Sequence, residues 1–308
     1  MFADSFVWCN SSQSSTVGSP PDGAITPRLQ FACGIGRSLQ QPPVRTLIAI
    51  ACVLPLLNGC VLFPDDVRPR ADLRTEVADK FVQRGMPQNR NGVLQGSIDV
   101  TMPTRTGGEL ALGTFANMDL RDNVGRAWYA DGHAGRFSDI EFTATYAQSA
   151  GPVDLNAGIH NYNVPFGAGF PNGPRSSTSE IFVHASSEVL GARPEVQLRY
   201  DVDQADGFYG RIGVNEEFPI TDTLKLRSSV FVGYSTRPES FWNYGIRESG
   251  FSDLLGSVTL LWTYDAHTTL GINGNVATIL DGGLQDWFDQ IGIPTTNTWV
   301  GLFAQWTY

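Results

Sequence analysis

The stretch Trp299-Val300-Gly301-Leu302-Phe303-Ala304-Gln305-Trp306-Thr307-Tyr308 decides how the rest of the chain is read. Val300, Leu302, Ala304, Trp306 and Tyr308 share one face of an extended segment. Trp299, Gly301, Phe303, Gln305 and Thr307 share the other. Side chains alternate across a strand with a period of two, so this pattern implies one face set against something apolar. The pattern runs to an aromatic last residue.

The alternation recurs upstream. It predicts twelve strands, over residues 77–85, 93–102, 109–119, 138–147, 153–163, 179–188, 194–203, 207–217, 224–235, 253–264, 268–280 and 298–308. It is cleanest in the middle of the chain. Val196, Leu198 and Tyr200 oppose Glu195, Gln197, Arg199 and Asp201, and Ile140, Phe142 and Tyr146 oppose Asp139, Glu141 and Thr143. Two orientations fit. A soluble sandwich or lipocalin-like barrel turns the apolar face inward, whereas a membrane barrel turns it to lipid and lines its lumen with the polar face.

Loop lengths separate the two. The connections 103–108, 148–152, 189–193, 218–223 and 265–267 are short. Those at 86–92, 120–137, 164–178, 236–252 and 281–295 are longer, and only 204–206 breaks the alternation. Short periplasmic turns alternating with long outer loops are expected of a barrel that begins and ends on the periplasmic side. Aromatic residues near strand ends, among them Tyr146, Tyr200, Tyr234, Trp262 and Trp306, suit the two membrane interfaces. The chain is therefore expected to be all-β: a twelve-stranded antiparallel up-and-down transmembrane β-barrel in the bacterial outer membrane. Its partners would be outer-membrane lipid and the barrel-assembly machinery, which would engage the C-terminal strand. A secreted soluble β-barrel holding an apolar ligand is the competing fold.

Composition agrees. Charged residues are 17% of the 308, aromatics are 11%, and Gly occurs 33 times. The net charge of -10 supplies no basic field for nucleic acid. All four cysteines (Cys9, Cys33, Cys52 and Cys60) lie near the N-terminus, so no disulfide framework or zinc site supports the predicted barrel.

Residues 1–43 are Ser-, Gln- and Pro-rich without periodicity and read as a disordered extension, or as one preceding the true start at Val44. Residues 44–60 carry Arg45, a short apolar core and Leu57-Asn58-Gly59-Cys60, the layout of a secretory signal. Cys60 is the expected lipidation position in that lipobox-like sequence, although Asn58 departs from the usual small residue. Ordinary cleavage without lipidation fits as well. Residues 61–76 read as a periplasmic linker leading to a barrel over 77–308.

Phe81-Val82-Gln83-Arg84-Gly85, then Gln95-Gly96-Ser97-Ile98-Asp99, then Gly113-Thr114-Phe115-Ala116-Asn117-Met118-Asp119 resemble, in order and spacing, the opening of the bacterial family Gcw_chp. Gln83 stands where an aromatic is commoner. The resemblance covers about the first 45 residues of the barrel. It implies an outer-membrane barrel and no particular activity.

The polar faces carry the candidate functional residues. Arg199, Arg211, Lys225 and Arg227 form a basic ladder on three consecutive predicted strands, facing Glu180, Glu195, Asp201 and Glu217. In a narrow pore this creates a transverse field, and the excess of acids predicts a preference for cations. A cross-barrel salt-bridge network that fills the lumen is the alternative. His160 and His184 lie on the same polar face. His184 with Ser186 and an acid could serve as a nucleophile set, the basis of an alternative reading as an outer-membrane lipid hydrolase. No spacing points to a metal or cofactor. The expected role is a passive porin-like channel for small polar solutes, or a structural envelope protein. Phe241, Trp242 and Tyr244, with residues 284–291, are expected either to fold as a lid or to pack the outer loops.

Overall fold

A computed structural model describes residues 68–122, 134–163 and 177–308. The extension, the signal segment with Cys60, and the start of the linker lie outside the described residues. The elements, in chain order, are β1 (Arg70–Ala78), β2 (Phe81–Gln83), β3 (Met86–Asn89), β4 (Val93–Pro103), β5 (Glu109–Asp119), β6 (Phe137–Ala150), β7 (Val153–Asn163), β8 (Ser177–Ser187), β9 (Arg193–Asp201), β10 (Phe208–Pro219), β11 (Leu224–Ser235), α1 (Arg237–Tyr244), β12 (Gly250–Thr263), β13 (Thr268–Ile279), α2 (Gly282–Gln290) and β14 (Thr296–Thr307).

β1 and β4–β14 form a closed barrel of twelve strands, each antiparallel to its neighbours, while β2 and β3 pair only with each other. The C-terminal strand closes the ring. Its residues pair with β13 on one side and with β1 on the other, where Leu73 faces Trp306 and Val77 faces Leu302. Closure removes the sheet edges that hydrocarbon would not tolerate.

The faces are sorted inside out relative to a soluble barrel. Ile98, Leu112, Phe142, Val183, Ile212, Val230, Val258 and Leu302 point outward and are exposed. Glu76, Asn117, Glu141, His160, Glu180, Glu195 and Arg199 point inward and are buried. An apolar exterior over strands of this length, such as the 11 residues of β4 and β5, matches a lipid-facing belt. A polar interior excludes the soluble barrel built around an apolar ligand. Outward aromatics bracket the belt, with Tyr146, Trp262, Tyr264 and Tyr308 at one end and Tyr200, Tyr234 and Phe251 at the other.

One boundary moves, with consequences inside the barrel. The first barrel strand is Arg70–Ala78, not 77–85, so the expected linker over 61–76 gives up its last residues to the wall. Leu73, Thr75 and Val77 alternate with Asp72, Arg74 and Glu76, a charge-rich pattern that reads more like linker than strand. The apolar run Phe81-Val82 was the stronger strand signal, yet it belongs to the β2–β3 hairpin, where Phe81, Val82 and Met86 are buried. Of the Gcw_chp-like elements, the first therefore forms this hairpin, while the second and third lie in β4 and β5.

The short outer connection between β9 and β10 also has a structural reason. α1 lies over it so closely that a Cβ on Gly207 would meet the backbone nitrogen of Glu239 at 2.5 Å. A longer loop would occupy the place of that helix.

Candidate functional site

The lumen has a plug at the end bordered by the long connections. The β2–β3 hairpin turns at Arg84 and Gly85, both with positive φ (47° and 79°). A side chain at Gly85 would be strained by that φ and would press on Ile279. Met86 joins Tyr244, Ile279, Leu284, Phe288 and Ile293 in a buried apolar cluster that ties the hairpin to α1 and α2. Polar contacts fix the arrangement. The Tyr244 hydroxyl donates to the Arg84 carbonyl (2.9 Å), Asn297 donates to the Gly85 carbonyl (3.3 Å), and the Trp287 indole donates to the Tyr244 carbonyl (2.7 Å). The lid expected of the Phe241–Tyr244 and 284–291 aromatics is thus partly realised: Tyr244, Leu284 and Phe288 fold inward.

Arg84 pins this plug to the wall. Its guanidinium donates to Glu180 of β8 (2.5 Å) and to Glu239 of α1, and it lies over the Tyr209 ring at 4.4 Å. Glu180 also accepts from the Tyr162 hydroxyl (2.7 Å) and from Arg199 (3.1 Å). An arginine has only donors, so the Arg199 bond to His160 Nδ1 (2.9 Å) makes that nitrogen an acceptor and places the ring proton on Nε2, facing Glu141. Burial pushes the Glu239 carboxyl up to about 7 against the opposing effect of Arg84.

The acidic wall of the lumen, β4–β8, is largely consumed by such contacts. Asp119 accepts from Ser138 (2.5 Å) and Asn117 (3.1 Å), and Asp154 pairs with Arg193 (2.6 Å). The facing wall is different. Below the hairpin, against β9–β14 and β1, lies a cavity of about 190 Å³. Six cationic side chains line it, namely Arg74, Lys80, Arg84, Arg199, Arg211 and Arg227, against two carboxylates, Glu76 and Asp253.

Three of these arginines are mounted in a repeating way. Gly158 faces Phe182 across the β7–β8 pair, Gly213 faces Phe231 across β10–β11, and Gly271 faces Phe303 across β13–β14. Each glycine leaves the space its neighbour's ring fills, and an added Cβ would lie 2.8 Å or less from ring atoms. Over the rings sit Arg199 (5.4 Å), Arg211 (4.6 Å) and Arg74 (3.6 Å). Cation–π contact holds each guanidinium against its ring.

The residues expected from the sequence divide accordingly. All nine face the lumen, but they do not form one ladder. Arg199 belongs to the buried Glu180 network. Arg211 borders the cavity. Lys225 and Arg227 share Glu217 at the short-turn rim (2.8 Å each). Glu195 accepts from Asn215 (2.5 Å) and contacts His184 Nε2 (3.1 Å). Asp201 accepts from Thr178 (2.5 Å) and from the backbone of the β9–β10 loop. His184 and Ser186 make no nucleophile pair. The histidine's ring nitrogens are taken by Glu195 and Asn156, and Ser186 accepts from Arg193 (2.9 Å). Arg74, Lys80 and Arg84 were missed, because the first lay in the expected linker and the others in the expected first strand, 77–85. The one available signal was Arg-Gly after an apolar run, which suits a tight turn as well as a strand.

Acids and bases are both largely paired: of the cations lining the cavity, Arg74 is paired with Glu76, Arg84 and Arg199 with Glu180, and Arg227 with Glu217.

No family model and no curated protein matches the chain. Among solved structures, the chain is similar to a KdgM porin (9% identity, TM-score 0.42, covering 78% of this chain and 99% of that one). It is also similar to a NanC porin (9%, 0.44, 77% and 98%) and to an outer membrane channel from Pseudomonas putida F1 (9%, 0.43, 81% and 98%).

Proposed function

We propose that the chain is a bacterial outer-membrane barrel with a non-enzymatic role, admitting small polar solutes to a lumen whose outer end is closed by the hairpin–helix plug. The observation that carries this reading is the polar cavity of about 190 Å³ inside a barrel with an apolar exterior. Outer-membrane lipid and the assembly machinery, engaged through β14, are the partners this location supplies. A filled barrel with a structural role in the envelope is the second reading. It is favoured by the buried Arg84 ion pairs, which anchor the plug in both directions.

Planar-bilayer recording on the detergent-purified chain 60–308 separates the two, with Arg84→Ala recorded beside the native chain. Discrete conductance steps in either protein support a channel, and steps in the variant alone assign the plug as its gate. Silence from both, with insertion shown independently, leaves the structural reading.

A further inference from the structure

We infer that Glu216, on the outward face of β10, is the headgroup site of an aminophospholipid, whose ammonium it takes against its carboxylate. The inference rests on the lipid-facing orientation of the belt and is independent of whether the lumen conducts.

Placement is the first argument. On β10, Arg211 and Asn215 line the cavity, while Ile212, Val214 and Phe218 are exposed on the other face. Glu216 belongs by alternation to that outward set. Its register partner on β11, Ser228, stands between Arg227 and Ser229, which line the cavity, so Ser228 also points outward. Among the described residues of the twelve barrel strands, Glu216 is the one charged side chain on the outward face. A charge set against lipid is costly, and it marks a functional position by default.

Charge complementarity is the second argument. The Glu216 carboxylate makes no hydrogen bond or ion pair among the described residues. Glu217 beside it, on the inner face, holds both Lys225 and Arg227. Ser228 offers a hydroxyl and no charge. A second copy of the chain would bring no cation from its own belt, which carries none among the described residues. The countercharge is therefore one that the membrane supplies. An ethanolamine headgroup presents three N–H donors on one ammonium, the complement of an acceptor-only carboxylate.

Depth is the third argument. Glu216 lies just inside the end of β10 at Pro219. At about 3.3 Å per residue and a tilt near 45°, the carboxylate sits about 7 Å inside that strand end, near the level where headgroups meet hydrocarbon. The wall beyond it stays apolar. Phe218, Ile220, Val189 and the fully exposed Leu190 stand at the β8–β9 and β10–β11 turns. Leu190 holds a positive φ of 55° in a two-residue turn, a position where glycine or asparagine is usual. These side chains occupy the approach from water, which leaves a headgroup as the nearest source of countercharge. Val214, Phe218 and Leu226 flank the carboxylate with apolar surface for the acyl chains of the same lipid.

The test incubates the detergent-purified chain 60–308 with mixed micelles holding phosphatidylethanolamine and phosphatidylglycerol in equal amounts. Native mass spectrometry then counts the lipids each molecule retains. The native chain should retain phosphatidylethanolamine about tenfold over phosphatidylglycerol, the discrimination expected of one charge-assisted contact. Glu216→Gln should bring the two lipids to parity, and Glu216→Lys should favour phosphatidylglycerol. Ser228→Lys sets an ammonium opposite the carboxylate within the wall, so it should abolish the preference with Glu216 intact. It serves as the second variant if the Glu216 variants do not fold. Equal retention of both lipids by the native chain would overturn the inference, as would a preference that survives in Glu216→Gln or in Ser228→Lys. So would a native oligomer that Glu216→Gln reduces to monomers, since the carboxylate would then serve a protein contact. Conductance enters none of these outcomes, so the channel reading stands or falls separately.

Discussion

The two walls of this lumen carry different mixtures of charge, acids alone on one and acids interleaved with bases on the other. On β4–β8 the charged groups are acids, and they are spent on their neighbours: Asp119 on Ser138 and Asn117, Glu141 on His160, Glu180 on Arg84, Arg199 and Tyr162. On β9–β11 and β1 the basic groups border the cavity and are paired there: Arg74 with Glu76 and the Phe303 ring, Arg227 with Glu217, while Arg211 lies over Phe231. Charge counted along the chain therefore misjudges what a solute meets. Buried ions demand partners, and once paired they contribute little field to the cavity. Charges beside the cavity keep part of their field, because water rather than wall surrounds one side of each pair.

Arg84 is where the two walls meet, so its loss should have the largest effect. Arg84→Ala leaves Glu180 and Glu239 buried with one partner fewer, at a cost of about 3–5 kcal/mol, as for breaking other buried pairs. Urea unfolding in micelles should show the loss. Protease sensitivity should rise at residues 79–92 first, because the barrel wall retains its own ladder. A uniform loss across the barrel would mean that the plug and wall form one cooperative unit and that the comparison drawn here is too sharp.

The glycine–phenylalanine mounts are the next point of attack. Gly271→Val puts two methyl groups into the Phe303 ring, displacing the plate on which Arg74 rests. Overpacking of this kind costs about 1–3 kcal/mol. Bilayer reversal potentials should shift as Arg74 moves, while the Glu180 network stays intact. Gly113, on the acidic side, lies beside a carboxylate oxygen of Asp99 rather than a ring. Gly113→Val should therefore leave reversal potentials unchanged.

These details also show where sequence reading runs out. The wall was legible because period-two alternation is local: Val196, Leu198 and Tyr200 against Glu195, Gln197 and Arg199 need no tertiary knowledge. The same alternation sets Arg199, Arg211 and Arg227 on the face that lines the cavity. Their pairing was not legible. Whether Arg199 meets Glu180 or Glu217 depends on register across neighbouring strands, which alternation leaves open. The hairpin misled for a physical reason. Phe81 is apolar to pack on Ala78 and Val93 at the foot of the hairpin, and an apolar run looks the same whether it faces lipid or a buried cluster. β1 was hidden by the converse, since Asp72, Arg74 and Glu76 outweigh its three outward residues.

A pH experiment sharpens the contrast between plug and wall. Around Glu239 stand Arg84 of the hairpin, Glu180 of β8, Asp201 of β9 and Asn243 of its own helix. Burial raises the carboxyl from 4.5 to about 7 when α1 is docked. The docked state thus holds a proton that the undocked helix releases. Docking is most favourable below the ordinary value of 4.5 and loses stability as pH rises through about 7. Hydrogen exchange at residues 237–244 should accelerate on going from about pH 5 to about pH 8, beyond the intrinsic change in exchange chemistry. The Glu239→Gln variant should lose that extra acceleration.

The smallest effect belongs to the rim. Glu217 is partly exposed and serves Lys225 and Arg227 together. Exposed pairs contribute about 0–1 kcal/mol, so Glu217→Gln should scarcely move the unfolding midpoint. Its electrical effect should be clearer. Removing the only acid of this three-membered cluster raises its net charge from one positive to two, next to the cavity that Arg227 lines. Reversal potentials should shift toward anions, most visibly at low salt, where the Debye length exceeds the lumen width. The same Glu→Gln change at Glu180 should behave in reverse, with a large loss of stability because two arginines lose their shared partner. If the two substitutions give similar stability losses, the division between buried charges and those beside the cavity fails. If they separate as described, position relative to open space decides what each charge does.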